Sequence, residues 1–387
     1  MNLERNPYCI YIKLIPPKVN KQPERITPYY IYYAEELEKN INDFKYLENA
    51  NVQIMYAVKA NNHGPLIERM IEEGYGFDVA SKEELLFVNS LGADMSKVSF
   101  SSPTKLEEDL KVASDLSVPN YAFDSEQEIE KIVRLVDNPK LFARMSVYND
   151  ESMHELSGIF GMSKEYFRYI MAEANKKGWP IKGISFHVGS QNLSISSWEG
   201  ALKYVRELLN IAKDSGIEIS YLNIGGGIPV AYDKSVEPLS FYIEGITKQL
   251  ERFKSDTGIE NILIEPGRAM CANTMSVFTK IVNIKDYKNP PIVVTELSVY
   301  HGFIEPLEKL EYPVYHYESY LRPELQREQK DFKVSGISCA GTDIIKNQCS
   351  LPVDVKIGDL LVIPLAGAYT FVFEKFQMKD FPKIYNE

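Results

Sequence analysis

A short apolar segment that ends in a lysine, VQIMYAVKAN over residues 52–61, decides the fold. Its first seven residues, Val52–Val58, are almost all apolar, which is typical of a buried strand in a parallel sheet. Lys59 follows directly, at the end of a strand where catalytic groups gather in barrel enzymes. Partial burial would favour its neutral amine, which can form a Schiff base. A surface lysine that reaches out to solvent is the alternative.

The same pattern repeats on both sides of this segment. Short β-branched or aromatic runs alternate with amphipathic stretches from residue 27 to about 270, which predicts a parallel sheet. Eight or nine such units favour an α/β fold of the (β/α)₈ TIM type over an open doubly wound sheet. The predicted strands are Tyr29–Tyr33, Val52–Val58, Gly76–Val79, Val98–Phe100, Tyr121–Phe123, Leu141–Val147, Gly183–Val188, Ile219–Ile224 and Ile262–Glu265. Helices are predicted at Ala34–Phe44, Leu66–Glu73, Lys82–Ser90, Ser163–Lys177 and Leu239–Phe253.

The sequence after about residue 272 has a different character. Short apolar runs alternate there with turns that contain proline and glycine, which predicts a smaller β domain. We expect a barrel over 27–270 and a β-rich domain made of 1–26 and 271–387, to which the N-terminal strand returns. The predicted strands are Tyr8–Leu14, Met275–Val282, Pro291–Val294 and Leu360–Pro364, and the charged stretches 284–290 and 321–333 are predicted as surface loops.

Composition excludes several classes of function. The 387 residues carry a formal net charge of −11, and a nucleic-acid-binding protein would need a basic surface instead. No window approaches 18 consecutive apolar residues, and the N-terminus lacks the apolar core of a signal peptide, so no membrane association is expected. The scattered cysteines fit reduced thiols in the cytoplasm and form no metal motif; they are Cys9, Cys271, Cys339 and Cys349.

Three further motifs lie at predicted strand ends. Gly225–Gly227 would let backbone amides approach an anion closely, although a tight turn without a ligand explains the glycines equally well. Glu265 and Arg268 place opposite charges three residues apart, where they could serve one ligand or form an internal salt bridge. His187–Ser190 adds a flat ring and a hydroxyl group. Because four such motifs share the predicted carboxyl end of one barrel, together they predict an active site.

These motifs resemble those of fold-type III pyridoxal phosphate (PLP) decarboxylases, the group of ornithine, diaminopimelate and arginine decarboxylases that shares its barrel with alanine racemase. The resemblance spans residues 27 to about 372. The matching segments follow the family order and are Tyr56–Asn61, Phe77–Ser81, His187–Ser190, Gly225–Gly227, Glu265–Arg268, Cys339 to Asp343 and Gly367–Thr370.

The resemblance implies a role for each matching residue. Lys59 holds PLP as a Schiff base, His187 stacks on the pyridine ring, and Glu265 pairs with the ring nitrogen. Asp78 and Arg144 support the site around the lysine. The phosphate is held by Gly225, Gly226, Gly227, Ser190, Arg268 and Tyr369. Cys339 and Tyr369 reach the site from a second subunit, since family members form homodimers with shared active sites.

The reaction implied is α-decarboxylation of a small amino-acid substrate, which gives an amine and CO₂. A carboxylate at the ring nitrogen keeps that nitrogen protonated, so the ring can accept the electrons left at Cα. In the related racemase an arginine stands at this nitrogen, which weakens the electron sink. By this resemblance, Glu265 favours decarboxylation over racemisation. Cys339 is the expected proton donor to Cα. An amino-acid racemase on the same barrel is the alternative.

Substrate identity is where this chain departs from the family. Ornithine and diaminopimelate decarboxylases carry an acid directly after the active cysteine, and this chain has Ala340. The second distal acid of ornithine decarboxylases aligns with Leu297, next to Glu296. The Ile-Arg-Pro segment of diaminopimelate decarboxylases corresponds to Ile304-Glu305-Pro306. Two alternatives remain open. The chain is an ornithine or diaminopimelate decarboxylase with a rearranged pocket, or it acts on a conjugated amino acid. The candidate substrate-binding residues are Ala340, Asp343, Glu296, Tyr300 and Glu305.

Overall fold

The computed structural model describes residues 26–147, 159–232 and 236–378. Within them the chain divides into two compact units. One comprises residues 26–39, 231–232 and 271–374, and the other comprises residues 40–147, 159–230, 236–270 and 375–378. The predicted strand Tyr8–Leu14 lies outside the described residues.

Eight parallel strands close into a barrel, as the repeating pattern predicts. The first and last strands pair with each other, with Val52 opposite Ile262, which completes the closure. The strands are β2 (Val52–Ala57), β3 (Gly76–Val79), β4 (Val98–Phe100), β5 (Asn120–Phe123), β6 (Lys140–Met145), β7 (Ile181–Phe186), β8 (Tyr221–Asn223) and β9 (Asn261–Ile264). Met55, Phe142 and Leu263 form a buried cluster among them.

Helices alternate with these strands. Serine side chains fix several helix starts; Ser81 and Ser125, for example, each accept a backbone N–H three residues ahead, which satisfies a donor that the helix leaves free. The helices are α1 (Ala34–Asn49), α2 (Gly64–Glu72), α3 (Lys82–Ser90), α4 (Glu107–Asp115), α5 (Glu126–Leu135), α6 (Lys164–Lys177), α7 (Ser196–Asp214) and α8 (Leu239–Thr257). A short α9 (Arg268–Cys271) follows the last barrel strand.

The second sheet is mostly antiparallel, with the order β12-β15-β10-β11-β13-β14. Its strands are β10 (Met275–Lys285), β11 (Ile292–Thr295), β12 (Tyr315–His316), β13 (Gln329–Ser335), β14 (Ile344–Pro352) and β15 (Leu360–Ile363), and α10 (Tyr317–Leu321) is its one-turn helix. The predicted loop 321–333 is wrong at its end, because β13 begins at Gln329. The exposed positions of this strand are polar or charged and hide its pattern; they are Gln329, Lys330 and Asp331.

The strand predicted at 29–33 does not belong to the barrel. It forms β1 (Tyr29–Tyr32), which pairs antiparallel with β10 so that Tyr29 lies opposite Phe278. All four of its residues are half-buried, whereas the barrel strand β3 is buried at every position. A strand with so little burial fits a sheet edge rather than a barrel core.

No helix in the described part of the chain is both long enough and apolar enough to cross a bilayer.

Candidate active site

Lys59 and Asp78 meet at the ends of two neighbouring barrel strands. Parallel pairing of β2 with β3 places Ala57 opposite Asp78, and Lys59 lies in the short turn Val58–Ala60 that follows β2. The Lys59 Nζ is 2.9 Å from Asp78 Oδ2, and the lysine side chain is 33% exposed. The lysine is therefore held at the strand ends by an ion pair with a buried carboxylate. Oδ1 of Asp78 is buried and has no hydrogen-bond partner among the described residues.

Glu265 follows β9 and accepts two hydrogen bonds on a single oxygen. Ser101 Oγ and Asn223 Nδ2 each lie 2.6 Å from Glu265 Oε1. Burial and the Asp78 carboxylate raise the pKa of Glu265, while Lys59 and these two hydrogen bonds lower it. Ser101 and Asn223 were not predicted from the sequence. Both stand at the ends of predicted strands, and this position is the one signal that could have identified them.

His187 follows β7 and presents a neutral ring. Its Nδ1 accepts the backbone N–H of Gly189 at 2.9 Å, which leaves the ring proton on Nε2. Burial, with the nearby Arg144 and Lys59 cations, lowers the pKa of His187 to about 3. The guanidinium of Arg144, on β6, lies over the ring of Phe160 at 5.4 Å, and its Nη1 donates to Ser101 O at 3.5 Å. A flat uncharged ring suits stacking on an aromatic ligand.

The glycine turn is required by close backbone packing. A Cβ at Gly225 would lie 2.3 Å from Phe186 O, one at Gly226 2.5 Å from Glu265 O, and one at Gly227 2.5 Å from Gly189 O. Gly225 and Gly227 also have positive φ, +63° and +112°. The Gly225 N–H donates to Asn223 Oδ1 at 2.9 Å, so a phosphate contact from Gly225, which stays a prediction, would compete with this bond. The N–H groups of Gly226 and Gly227 donate to no described residue and are available for an anion.

The remaining barrel candidates also lie beyond strand ends. Arg268 is buried at the first residue of α9, and Ser190 is half-buried after Gly189. The barrel therefore brings together an amine, a carboxylate with one oxygen free of hydrogen bonds, a neutral ring and two unused amides. This set fits PLP, which needs an amine for its aldehyde, an acid for its ring nitrogen and N–H groups for its phosphate.

The other candidates lie in the β-rich unit, and two of them accept hydrogen bonds within it. Asp343 is fully buried and accepts Ser298 Oγ, Val299 N–H and Ser338 N–H, each at 2.9 Å. Glu305 is buried and accepts the Tyr312 hydroxyl at 2.8 Å. Buried carboxylates that are occupied in this way hold the unit together. These contacts favour structural roles for Asp343 and Glu305, and their substrate-binding roles stay predictions.

The other five candidates of this unit are exposed or half-buried. Cys339 and Ala340 are exposed, and so is Tyr300, whose hydroxyl contacts Thr342 Oγ1. Tyr369 is half-buried with a positive φ of +52°. Glu296 is half-buried, and its Oε2 is shielded from solvent with no hydrogen-bond partner among the described residues. Leu297, which takes the place of the second distal acid, is buried.

An eight-stranded barrel with these groups at its strand ends defines a cofactor-dependent enzyme, and comparison with known proteins identifies its class. Residues 34–272 match the family model described as "Pyridoxal-dependent decarboxylase, pyridoxal binding domain". The chain is 30% identical over 349 residues to a lysine/ornithine decarboxylase of Selenomonas ruminantium, which covers 89% of this chain and 86% of the relative.

Solved structures agree. The arginine decarboxylase of Paramecium bursaria Chlorella virus superposes with a TM-score of 0.82 at 28% identity, over 90% of this chain and 92% of that one. A structure described as SrLDC in complex with PLP and cadaverine gives 0.80 at 29% identity, over 90% and 87%. This chain belongs to the pyridoxal-dependent decarboxylase family. It is a PLP-dependent carboxy-lyase that decarboxylates an amino acid, and the predicted fold and cofactor are confirmed.

Proposed function

We propose that the barrel residues hold PLP and that Glu265 directs it towards decarboxylation. Lys59 binds the cofactor covalently, His187 lies on its ring, and Asp78 and Arg144 support the site around the lysine. The Gly226 and Gly227 amides hold the phosphate with Ser190, Arg268 and Tyr369, while Gly225 shapes the turn. The observation that carries this proposal is the Glu265 carboxylate, which receives both its hydrogen bonds on Oε1 and leaves Oε2 for the ring nitrogen.

The bound cofactor supplies an electron sink for the pair that remains at Cα when the bond to the carboxylate breaks. The chain's own task is to return a proton to that carbon. We assign this step to Cys339, whose exposed thiol can donate from Sγ. The test is to incubate the enzyme with one L-amino acid and to measure both the CO₂ released and the D-enantiomer of the amino acid formed. Release of CO₂ without inversion supports decarboxylation, and inversion without CO₂ would indicate a racemase.

The substrate proposed is an amino acid whose distal end is longer than those of ornithine and lysine or is conjugated. Relatives carry names such as lysine/ornithine and diaminopimelate decarboxylase, so a diamino or polyamine-type substrate class is the starting point. In this chain, however, Ala340 is exposed and Leu297 is apolar and buried, so neither can neutralise a distal ammonium. A charge left without a partner is costly to desolvate.

Ala340→Asp tests this substrate proposal. We expect free ornithine and lysine to be poor substrates of the wild type. We also expect the new aspartate to raise kcat/KM for ornithine about 5- to 150-fold, since a hydrogen-bonded charge pair contributes about 1–3 kcal/mol. Ile337→Asp, which adds the same charge at another exposed position, is the matched control and should change little. Efficient wild-type turnover of ornithine, unchanged by Ala340→Asp, would contradict the proposal and point to Glu296 as the distal acid.

A homodimer with shared active sites completes the proposal, with Cys339 and Tyr369 serving the partner's cofactor. The dimer is tested by mixing inactive Lys59→Ala and Cys339→Ala proteins, which should regain part of the activity in hybrid dimers. Each inactive protein mixed with itself is the control. Lack of recovery despite demonstrated subunit exchange would exclude shared sites. A cytoplasmic location is proposed because an exposed catalytic thiol must stay reduced.

A further inference from the structure

Asn223, the last residue of β8, has both ends of its side-chain amide committed. Its Oδ1 accepts the N–H of Gly225 at 2.9 Å, and its Nδ2 donates to Glu265 Oε1 at 2.6 Å. A rotation of the amide by 180° would set NH₂ against N–H and carbonyl oxygen against carboxylate, which removes both bonds. The glycine turn therefore fixes the direction in which Asn223 donates to Glu265.

Ser101, which follows β4, supplies the second donor to the same oxygen. Its hydroxyl lies 2.6 Å from Glu265 Oε1. Asn223 and Ser101 are both buried, so water competes little for these bonds. No described residue donates to Oε2. Two donors from two different strands thus determine which carboxylate oxygen is held by the protein and which is presented to a ligand.

The electrostatic surroundings make these donors necessary. Burial and the neighbouring Asp78 carboxylate both raise the pKa of Glu265 and so oppose its ionised form. Lys59 and the two hydrogen bonds act in the opposite direction. Removal of either donor therefore leaves a carboxyl that ionises less readily, and a protonated carboxyl no longer forms an ion pair with a protonated ring nitrogen.

We infer that Asn223 and Ser101 are positioning residues for the decarboxylation, which hold the Glu265 carboxylate so that Oε2 accepts from the ring nitrogen of PLP. Asn223 further couples that carboxylate to the glycine turn proposed to hold the phosphate. The inference rests on the role proposed for Glu265 and names the residues through which that role is maintained. Neither residue is a catalytic residue, since each acts through Glu265.

The two residues differ in a way that an experiment can use. The Ser101 hydroxyl bonds to Glu265, whereas Asn223 also holds the glycine turn through Gly225. The test titrates the full-length protein, freed of cofactor, with PLP and with an analogue in which a C–H group replaces the ring nitrogen. The dissociation constants are measured by fluorescence. Only an effect transmitted through Glu265 distinguishes the two ligands.

We expect Ser101→Ala and Asn223→Ala each to raise the dissociation constant for PLP about 10- to 150-fold, which is the range for the loss of a hydrogen bond to a charged group. The analogue should bind Ser101→Ala as it binds the wild type, and Asn223→Ala should lose less affinity for the analogue than for PLP. Asn120→Ala removes a buried asparagine amide that donates to Ser99, on another barrel strand, and is the control that should keep the wild-type preference for PLP.

Glu265→Gln separates failure of the inference from failure of the proposed function. If this variant loses the preference for PLP while Ser101→Ala and Asn223→Ala retain it, the inference is overturned and the role of Glu265 stands. Equal weakening of both ligands in Asn223→Ala and Ser101→Ala would also overturn it, because the residues would then act on the fold alone. If the wild type itself binds PLP and the analogue equally, the proposed role of Glu265 fails and the inference falls with it.

Discussion

Buried or half-buried carboxylates occur both at the barrel strand ends and in the β-rich unit, but their oxygens are used differently. At the barrel, Asp78 contacts Lys59 through Oδ2, and Glu265 receives both of its hydrogen bonds on Oε1. In the β-rich unit, Asp343 receives donors on both oxygens, from backbone and hydroxyl groups of the same unit. An acid with an uncommitted oxygen can serve a ligand, whereas a saturated acid maintains a fold. Residue type alone therefore does not identify which carboxylate binds a ligand.

The largest expected effect is that of Lys59→Ala. Loss of the amine removes the covalent attachment of the cofactor, so we expect turnover to fall by at least about 10³-fold, at the upper part of what one such group contributes. Lys82→Ala is the control, because it removes a lysine at the start of α3 that pairs with Glu108. This variant should retain turnover. Initial rates of CO₂ release give the comparison, and a Lys59→Ala enzyme with near-normal rates would remove the barrel site from the account.

Lys105 sharpens the contrast, because it is a buried barrel lysine that is fully satisfied. Its Nζ donates to Ser102 O and Ala122 O at 2.7 Å and to Glu128 Oε1 at 3.1 Å, and its side chain is 0% exposed. Burial lowers its pKa to about 8. Lys105→Met should lower the free energy of unfolding by about 3 kcal/mol, since it leaves a buried acid with one partner fewer.

Urea denaturation measures this loss, and the turnover of the folded enzyme should change far less than in Lys59→Ala. The matched control is Lys131→Met, which removes the other lysine that pairs with Glu128. That lysine is partly exposed, so the cost should stay within about 1 kcal/mol. If Lys105→Met lost turnover with normal stability, Lys105 would belong to the active site.

Asp343→Asn tests the β-rich side of the comparison. The change places an NH₂ group against backbone N–H donors, so we expect a loss of about 1–3 kcal/mol in the free energy of unfolding. KM for the preferred substrate should stay close to the wild-type value at a temperature where the variant is folded. A large rise in KM with unchanged stability would restore Asp343 as a substrate-binding residue.

The smallest expected effect is a change in the pH dependence of stability through His187. Its pKa is about 3 in the folded protein, below the ordinary value of 6.5, so the unfolded chain binds the extra proton between these values. Stability is therefore fully present above about pH 6.5 and falls with decreasing pH towards 3. By pH 5, His187 should contribute a loss of about 1–2 kcal/mol.

His187→Gln should lack this loss. The exposed His301, replaced by glutamine, serves as the control and should keep the wild-type dependence. Urea denaturation of the wild type and both variants at pH 7.5 and pH 5.0 gives the three differences in the free energy of unfolding that are required. A His187→Gln protein that loses as much stability as the wild type would show that the ring is not held neutral.

The barrel could be predicted from the sequence because its signal is local. The strands β3 and β4 and the helix α3 have the predicted bounds, since apolar runs and a serine cap mark them. The start of β13 was not predicted because its exposed positions are polar or charged. The donors Ser101 and Asn223 lie 164 and 42 positions from Glu265 along the chain, and no sequence period reports such a contact. The saturation of Asp343 likewise depends on the folded turn around it.

The most direct test of the central claim is to reduce the PLP-loaded enzyme with borohydride and map the modified peptide by mass spectrometry. Reduction fixes the cofactor to the amine that carries it. We expect that a single peptide, the one that contains Lys59, gains the mass of the reduced cofactor, and that Lys105 stays unmodified. Cofactor on any other lysine, or no modification of an enzyme that releases CO₂, would contradict the assignment of the active site to the carboxyl ends of the barrel strands.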